Sequence, residues 1–352
     1  SHMAGCCISC RYMVSKTVEE KTLSWIRCFL VNRSFRVRMN DSYSDWLKVE
    51  SGVPQGSVLR PILFVVYIND LVDVMEGGGK MLLFADDAKL YRTILKEEDC
   101  QQLQNCINRA IMWFNKWLMK VNVDKCMVIK IGRVRFDHIY HMNEGSIKEG
   151  RSIKDLGVTF QRDLKFKLHI SDVINKAYST LGVIRRNFNL LDKRSFTSLY
   201  TSLVRSKLEY AVSVWSPHTS GLMEDLERVQ RRATKIPKQC KNMNYRRRME
   251  YLNLPSLKYR RDRGDMIETF KILRGFYERN CSPALRLMET RRTRGNSFKL
   301  VVLQAHKDIR KFSFLLRVTG LWNSLSDGVV CLETMDEFKR TLDEVWLMKR
   351  FV

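Results

Sequence analysis

Met81-Leu82-Leu83-Phe84-Ala85-Asp86-Asp87-Ala88-Lys89-Leu90-Tyr91 sets two adjacent acids between two short apolar runs. Gly77-Gly78-Gly79 breaks the chain just before them. Met81 to Phe84 and Ala88 to Tyr91 read as two short strands around a tight turn. Strands buried on either side aim Asp86 and Asp87 outward as a rigid pair. Two like charges this close favour a hard divalent cation, which neutralises them and takes oxygen ligands. Such a pair suits phosphoryl transfer with two metal ions. Taken alone, Asp-Asp in a turn is more often a turn former.

Upstream of this hairpin, Ser51-Gly52-Val53-Pro54-Gln55-Gly56-Ser57 is a loop with two glycines and a proline. It leads into the apolar run Ile62 to Ile68, most simply a buried helix, which continues as Tyr67-Ile68-Asn69-Asp70. Farther upstream, Phe35, Val37 and Met39 alternate with Arg36, Arg38 and Asn40, then come Asn40-Asp41-Ser42 and Trp46-Leu47-Lys48-Val49. That is a β-hairpin pattern, with Arg36 and Arg38 on one face, more often a solvated face than a binding one. Val18, Leu23, Ile26 and Leu30 mark a short helix over residues 17–31. Downstream, Leu103, Ile107, Ile111, Phe114 and Leu118 give a long helical period over 97–120, followed by strand-like runs at Met127–Ile131 and Ile153–Phe160. From about residue 168 the pattern is helical, with stripes such as Ile170, Val173, Ile174, Ala177, Leu181 and Ile184. The fold class is therefore α+β: mixed strand and helix to about 160, then mostly helix.

The chain carries 62 Lys+Arg against 38 Asp+Glu, a net charge of +24. Residues 184–312 hold 30 basic and 12 acidic residues, a net +18 in one segment. Concentrated positive charge implies an anionic partner, most often a nucleic-acid backbone. Arg228, Arg231, Arg232 and Lys235 flank the apolar positions of one stripe and are candidate phosphate contacts. With 45% hydrophobic residues and only 17 Gly and 6 Pro, disordered and low-complexity classes are excluded. The Ile62–Ile68 run is far shorter than the ~20 residues of a membrane span, so no membrane partner is expected. The ten cysteines show no repeated pairing pattern, and Cys6, Cys7 and Cys10 lack a following zinc-ligand spacing. With no signal peptide evident, this points to an intracellular chain, nuclear or cytoplasmic. Ser1-His2-Met3 reads as a tag-cleavage scar.

The ordered set SGVPQGS at 51–57, Tyr67-Ile68-Asn69-Asp70 and Phe84-Ala85-Asp86-Asp87 resembles reverse transcriptases of non-LTR retrotransposons, in the jockey and chicken-repeat branch. Asn122-Val123-Asp124-Lys125-Cys126, Asp155-Leu156-Gly157-Val158, Leu208-Glu209-Tyr210-Ala211, Val229-Gln230-Arg231-Arg232-Ala233-Thr234-Lys235 and Arg263-Gly264-Asp265-Met266-Ile267 extend the likeness. The resemblance implies a right-hand polymerase palm, partial here, over 4–160 and a helical, thumb-like and basic region over 161–352. It implies that Asp86 is a ligand of Mg²⁺ or Mn²⁺, supported by Asp87. Pro54, Gln55, Gly56 and Ser57 would pack near template and incoming nucleotide, beside Phe84. Lys125 would sit near the triphosphate as proton donor to pyrophosphate, and Gly157 would let a primer strand approach.

The resemblance also implies a third metal-binding Asp on a strand upstream of Ser24-Trp25-Ile26. Residues 4–23 contain no Asp, with Glu19 and Glu20 their only acids. The expectation is a 5′-truncated element copy that lacks the first catalytic strand and the fingers. It would bind RNA or DNA through its basic half, with little or no polymerase activity alone. The rivals are an active RNA-directed DNA polymerase whose third carboxylate comes from Glu19, Glu20 or a second chain, and a non-enzymatic protein scaffold. A palm sheet short of a strand exposes an edge that a protein partner or second chain would cover. Arg60, where relatives usually have Gly before Pro61, is expected to distort the loop's exit if that Gly serves close packing or positive φ.

Overall fold

The computed structural model describes residues 19–49, 52–75, 78–133, 135–278, 283, 285–288 and 296–351. Ser51, Gly77 and the Cys6, Cys7 and Cys10 group lie outside these residues. The chain divides into two units, residues 1–150 and 151–352.

In the first unit, helix α1 (Glu20–Leu30) precedes a ribbon of four two-residue strands: β1 (Ser34–Phe35), β2 (Arg38–Met39), β3 (Ser42–Tyr43) and β4 (Leu47–Lys48). The β2–β3 turn bends at Asn40, whose φ of 55° suits Asn better than most residues. Helix α2 (Leu59–Ile68) runs into a 3₁₀ stretch, Asn69–Met75, and then into β5 (Lys80–Phe84) and β6 (Asp87–Tyr91). Helix α3 (Glu97–Lys116) follows, and then short pairings among β7 (Met127–Val128), β8 (His141–Met142), β9 (Gly145–Ser146) and β10 (Lys148–Glu149).

The unit's core gathers Ile68, Leu71, Met75, Met81, Cys106, Ala110 and Trp113. The helix expected from the apolar run forms, but Ile62, Val65 and Val66 are exposed and only Leu63 and Ile68 are buried. A seven-residue apolar run coats every side of a helix, while neighbours here cover one side. Arg60 lies in the first turn of α2 and not at a positive-φ position, so no distortion of the loop's exit is required of it. Pro61 follows where a helix has no use for an N–H. Leu118 falls beyond α3 with φ 56° and is exposed, so it leaves the helical period that Leu103 and Ile107 begin.

The second unit opens with the hairpin β11 (Ser152–Asp155) and β12 (Val158–Gln161). Its buried Val158 packs with α4 (Lys167–Asn187), so this hairpin belongs with the helices that follow it. Next come α5 (Lys193–Leu199), a π-helical continuation Tyr200–Arg205, α6 (Ser206–Glu209), α7 (Val212–Trp215) and α8 (Ser220–Ala233). The α4 stripe Ile170, Val173, Ala177, Leu181 and Ile184 meets Leu226, Val229 and Ala233 of α8 in one core. A second core joins α10 (Leu257–Leu273) to α12 (Phe314–Asn323) and α14 (Met335–Val345) through Phe270, Trp322 and Phe338; α9 (Tyr245–Leu252), α11 (Asp308–Lys311) and α13 (Asp327–Val330) complete the unit. Among the described residues no helix is long and apolar enough to cross a membrane.

Candidate functional site

The β5–β6 hairpin is antiparallel in the register Met81↔Leu90, Leu82↔Lys89, Leu83↔Ala88 and Phe84↔Asp87, leaving Ala85-Asp86 as the two-residue turn. Alternation sends Met81, Leu83 and Leu90 to the core with Trp113 and Cys106. The opposite face carries Lys80, Leu82, Phe84, Asp87, Lys89 and Tyr91, with Phe84 62% exposed. The strands are thus buried on one face. Asp86 and Asp87 are exposed at the tip. Among the described residues no further strand pairs with β5 or β6.

What fixes the hairpin is its exit. Arg92, one residue past β6, donates to Asp99 Oδ1 at 2.8 Å. The other Asp99 oxygen accepts the Leu95 and Lys96 amides at 2.9 and 3.1 Å. Asp99 therefore caps the first turn of α3 while holding the outgoing strand. The Arg92 bond, with the two amides, holds its carboxyl down at about 2. This clamp was not foreseen from sequence; the acidic run Glu97-Glu98-Asp99 at a helix start was the available signal.

The Tyr67-Ile68-Asn69-Asp70 motif builds the wall behind the hairpin. The Tyr67 hydroxyl donates to the Trp117 carbonyl, and the Trp113 indole donates to Asp70 Oδ1 at 3.1 Å. Burial lifts the Asp70 carboxyl above its ordinary value. In the glycine loop, Gly52 and Gly56 have φ of 80° and 77°, conformations closed to most side chains. Ser57 Oγ donates to the Pro54 carbonyl at 2.9 Å, and Arg33 donates to the Gly52 carbonyl. Gln55 is exposed at the apex, and a Cβ on Gly56 would meet nothing. The Lys125 amide is used by Asn122, which caps the turn Val123–Lys125, and its side chain is exposed.

In the second unit the motif residues are largely structural. Gly157, φ 82°, forms the β11–β12 turn with Leu156, and the space beside it holds the Tyr210 ring. Glu209 accepts from Arg260, Arg263 pairs with Asp343, and buried Asp265 pairs with Arg317 at 2.7 Å. Gln230 is fully buried: it accepts from the Tyr200 hydroxyl at 2.9 Å and donates to the Pro255 carbonyl at 3.0 Å. Of the basic residues around it, Arg231 is held by Glu224 and lies over Tyr245. Arg228 pairs at the surface with Asp225, Arg232 lies over Tyr178, and Lys235 is exposed.

As donors, Asp86 and Asp87 offer the hard oxygens that Mg²⁺ or Mn²⁺ takes. Among the described residues no three His, Cys, Asp or Glu side chains come together, and Glu19 and Glu20 at the start of α1 join no such group.

The reverse transcriptase (RNA-dependent DNA polymerase) family matches residues 9–160. The chain is 25% identical over 247 residues to a probable RNA-directed DNA polymerase from transposon X-element of Drosophila melanogaster, covering 66% of this chain and 26% of that protein. It is 29% identical over 230 residues to a probable RNA-directed DNA polymerase from transposon BS of the same fly, covering 61% and 25%. To the RNA-directed DNA polymerase from its mobile element jockey it is 26% identical over 205 residues, covering 54% and 22%. The chain spans about a quarter of the length of these relatives. The carboxylate hairpin and the glycine loop both lie inside the family match, and transposon polymerases align with more than half of the chain: residues 9–160 are similar to the reverse transcriptase family, and the chain as a whole is similar to RNA-directed DNA polymerases of non-LTR retrotransposons.

Proposed function

We propose that this protein binds RNA and DNA mainly through phosphate contacts made by its helical unit, and that it has little or no polymerase activity on its own. The observation that carries the reading is a basic stripe. Arg228, Arg232 and Lys235 recur at i, i+4 and i+7 along and just past α8, opposite its buried Leu226, Val229 and Ala233. Each phosphate that such a stripe neutralises releases bound counterions, which makes affinity fall with salt.

The low activity follows from the donor set. Asp86 and Asp87 would hold the metal ion, which when bound stabilises charge on a transferring phosphoryl group. Two carboxylates on one turn leave the rest of its coordination to substrate oxygens and water. Alignment of a primer hydroxyl with the phosphate then lacks a rigid frame, and such alignment is a large part of the rate. Gln55 and Gly56 in the glycine loop, and Lys125, are the side chains and backbone this reading sets near a nucleotide.

Two assays test it. Duplex binding measured from low to physiological salt should weaken steeply, and R228Q/R232Q/K235Q should lower the salt slope by about 2 to 3. Affinity indifferent to salt would sink the phosphate-contact half. Primer extension on RNA with Mg²⁺ or Mn²⁺ should give no product from the parent or from D86N/D87N. Extension abolished by the double substitution would overturn the second half and show that another ligand is supplied in cis or by a second chain.

A further inference from the structure

The β1–β4 ribbon has a face that the proposed function leaves unused. Ser34 pairs with Lys48, Phe35 with Leu47, Arg38 with Tyr43 and Met39 with Ser42. Between these ladders the Ser44 amide donates to the Val37 carbonyl at 3.0 Å. One residue, Arg36, therefore stands opposite two, Asp45 and Trp46. That is a β-bulge, and a bulge re-aims the side chain beside it.

The re-aimed side chain is Trp46. The Arg36 guanidinium lies 3.9 Å from the Tyr43 ring centre and 4.7 Å from that of Trp46. Arg38 lies 5.6 Å from the same Tyr43 ring, and the register puts Lys48 on this face as well. Tyr43 is 50% exposed and Trp46 61%. Asp41 approaches only Arg38, at 3.9 Å and in full solvent, and Arg36 has no ion pair among the described residues. Two rings flank the guanidinium of Arg36, an exposed residue, and narrow its freedom. Pre-organisation of that kind lowers the cost of binding an anion. Three cations and two half-exposed rings on one face match a ligand that alternates phosphates with flat bases.

We propose that this ribbon face is a stacking platform for single-stranded nucleic acid, with a base on Trp46 and the adjoining phosphate on Arg36. The platform does not depend on the basic stripe of α8.

The test uses the full chain and fluorescence anisotropy with labelled 12-mer oligo(dT), 12-mer oligo(U) and a blunt duplex of the same length. W46A should weaken both single strands about tenfold, as loss of one stacked base does, and W46F should recover most of that loss. R36Q should lower the single-strand salt slope by about 0.7, one phosphate's worth. Duplex affinity should stay within about twofold of the parent in W46A and W46F, because its bases are already stacked. The proposal is overturned if W46A leaves single-strand affinity within twofold, if W46F binds no better than W46A, or if the duplex loses as much as the single strands. A failure of R228Q/R232Q/K235Q to change duplex binding would count against the helical-unit reading alone.

Discussion

Tyr210 Oη donates a 2.9 Å hydrogen bond to the carbonyl of Leu156, 54 residues earlier in the chain, and its ring lies against the glycine of the same turn. A Cβ at Gly157 would stand 3.1 Å from Tyr210 Cε1, on a backbone already at φ 82°. Gly157→Ala should therefore cost about 1–2 kcal/mol from the left-handed backbone alone, with a further contribution from the ring. Urea unfolding measures it. The same substitution in a Tyr210→Ala background should cost less, since the ring is gone; an equal cost in both backgrounds would show that Tyr210 is not what crowds the turn.

Arg231 and Arg232 are neighbours with equal charge and different engagements. Arg231 is held by Glu224, whereas Arg232 lies over the Tyr178 ring on an exposed face. Arg232→Gln should weaken duplex binding at least twice as much as Arg231→Gln. Glu224→Gln, which releases Arg231 and removes an acid, should strengthen binding. Identical losses for the two arginines would contradict this division, and filter binding at two salt concentrations is enough to see it.

Acid should loosen the carboxylate hairpin through Asp99. Asp99 is held at about 2, below its ordinary 3.8, by Arg92 and two backbone amides. A carboxyl depressed on folding contributes stability that is complete above its unfolded value and is lost as pH falls through the folded one. The window is thus from about pH 4 down to about pH 2. Asp99→Asn should lower Tm at pH 6, and the gap to the parent should close across that window. A gap that stays constant to pH 2 would mean that the ionised form is not what matters.

The carboxylate turn itself carries strain. Ala85 has φ 51° and sits between β5 and β6. Ala85→Gly should stabilise by up to about 1 kcal/mol, since glycine alone adopts this conformation freely. Thermal melts with and without Mg²⁺ would read it. Destabilisation by the substitution would show that the Ala85 methyl makes a contact worth more than the strain.

Local pattern was enough to find both hairpins, α1, most of α3 and the position of Asp86 and Asp87, because strand alternation and helical period are properties of neighbours in sequence. It failed where a distant partner decides. Leu118 continues the period of α3, yet the helix has already ended at Lys116. Ile62 and Val65 look like core and are exposed, since nothing among the described residues covers that side of α2. Gln230 reads as a polar residue in a basic stretch, but Tyr200 and Pro255 make it a buried hub. The Asp99 clamp depends on Arg92 turning back after β6, a path that no spacing rule encodes.

The contrast between Gln230 and Asp86 also sets two mutational clocks. Substituting Gln230 strands the Tyr200 hydroxyl and the Pro255 carbonyl in the core, a burden of about 1–3 kcal/mol for each buried group left unsatisfied. Asp86, exposed on its turn, can drift without touching the fold. Change at Gln230 is therefore felt as a loss of stability, and change at Asp86 as a change of surface charge that leaves the core intact.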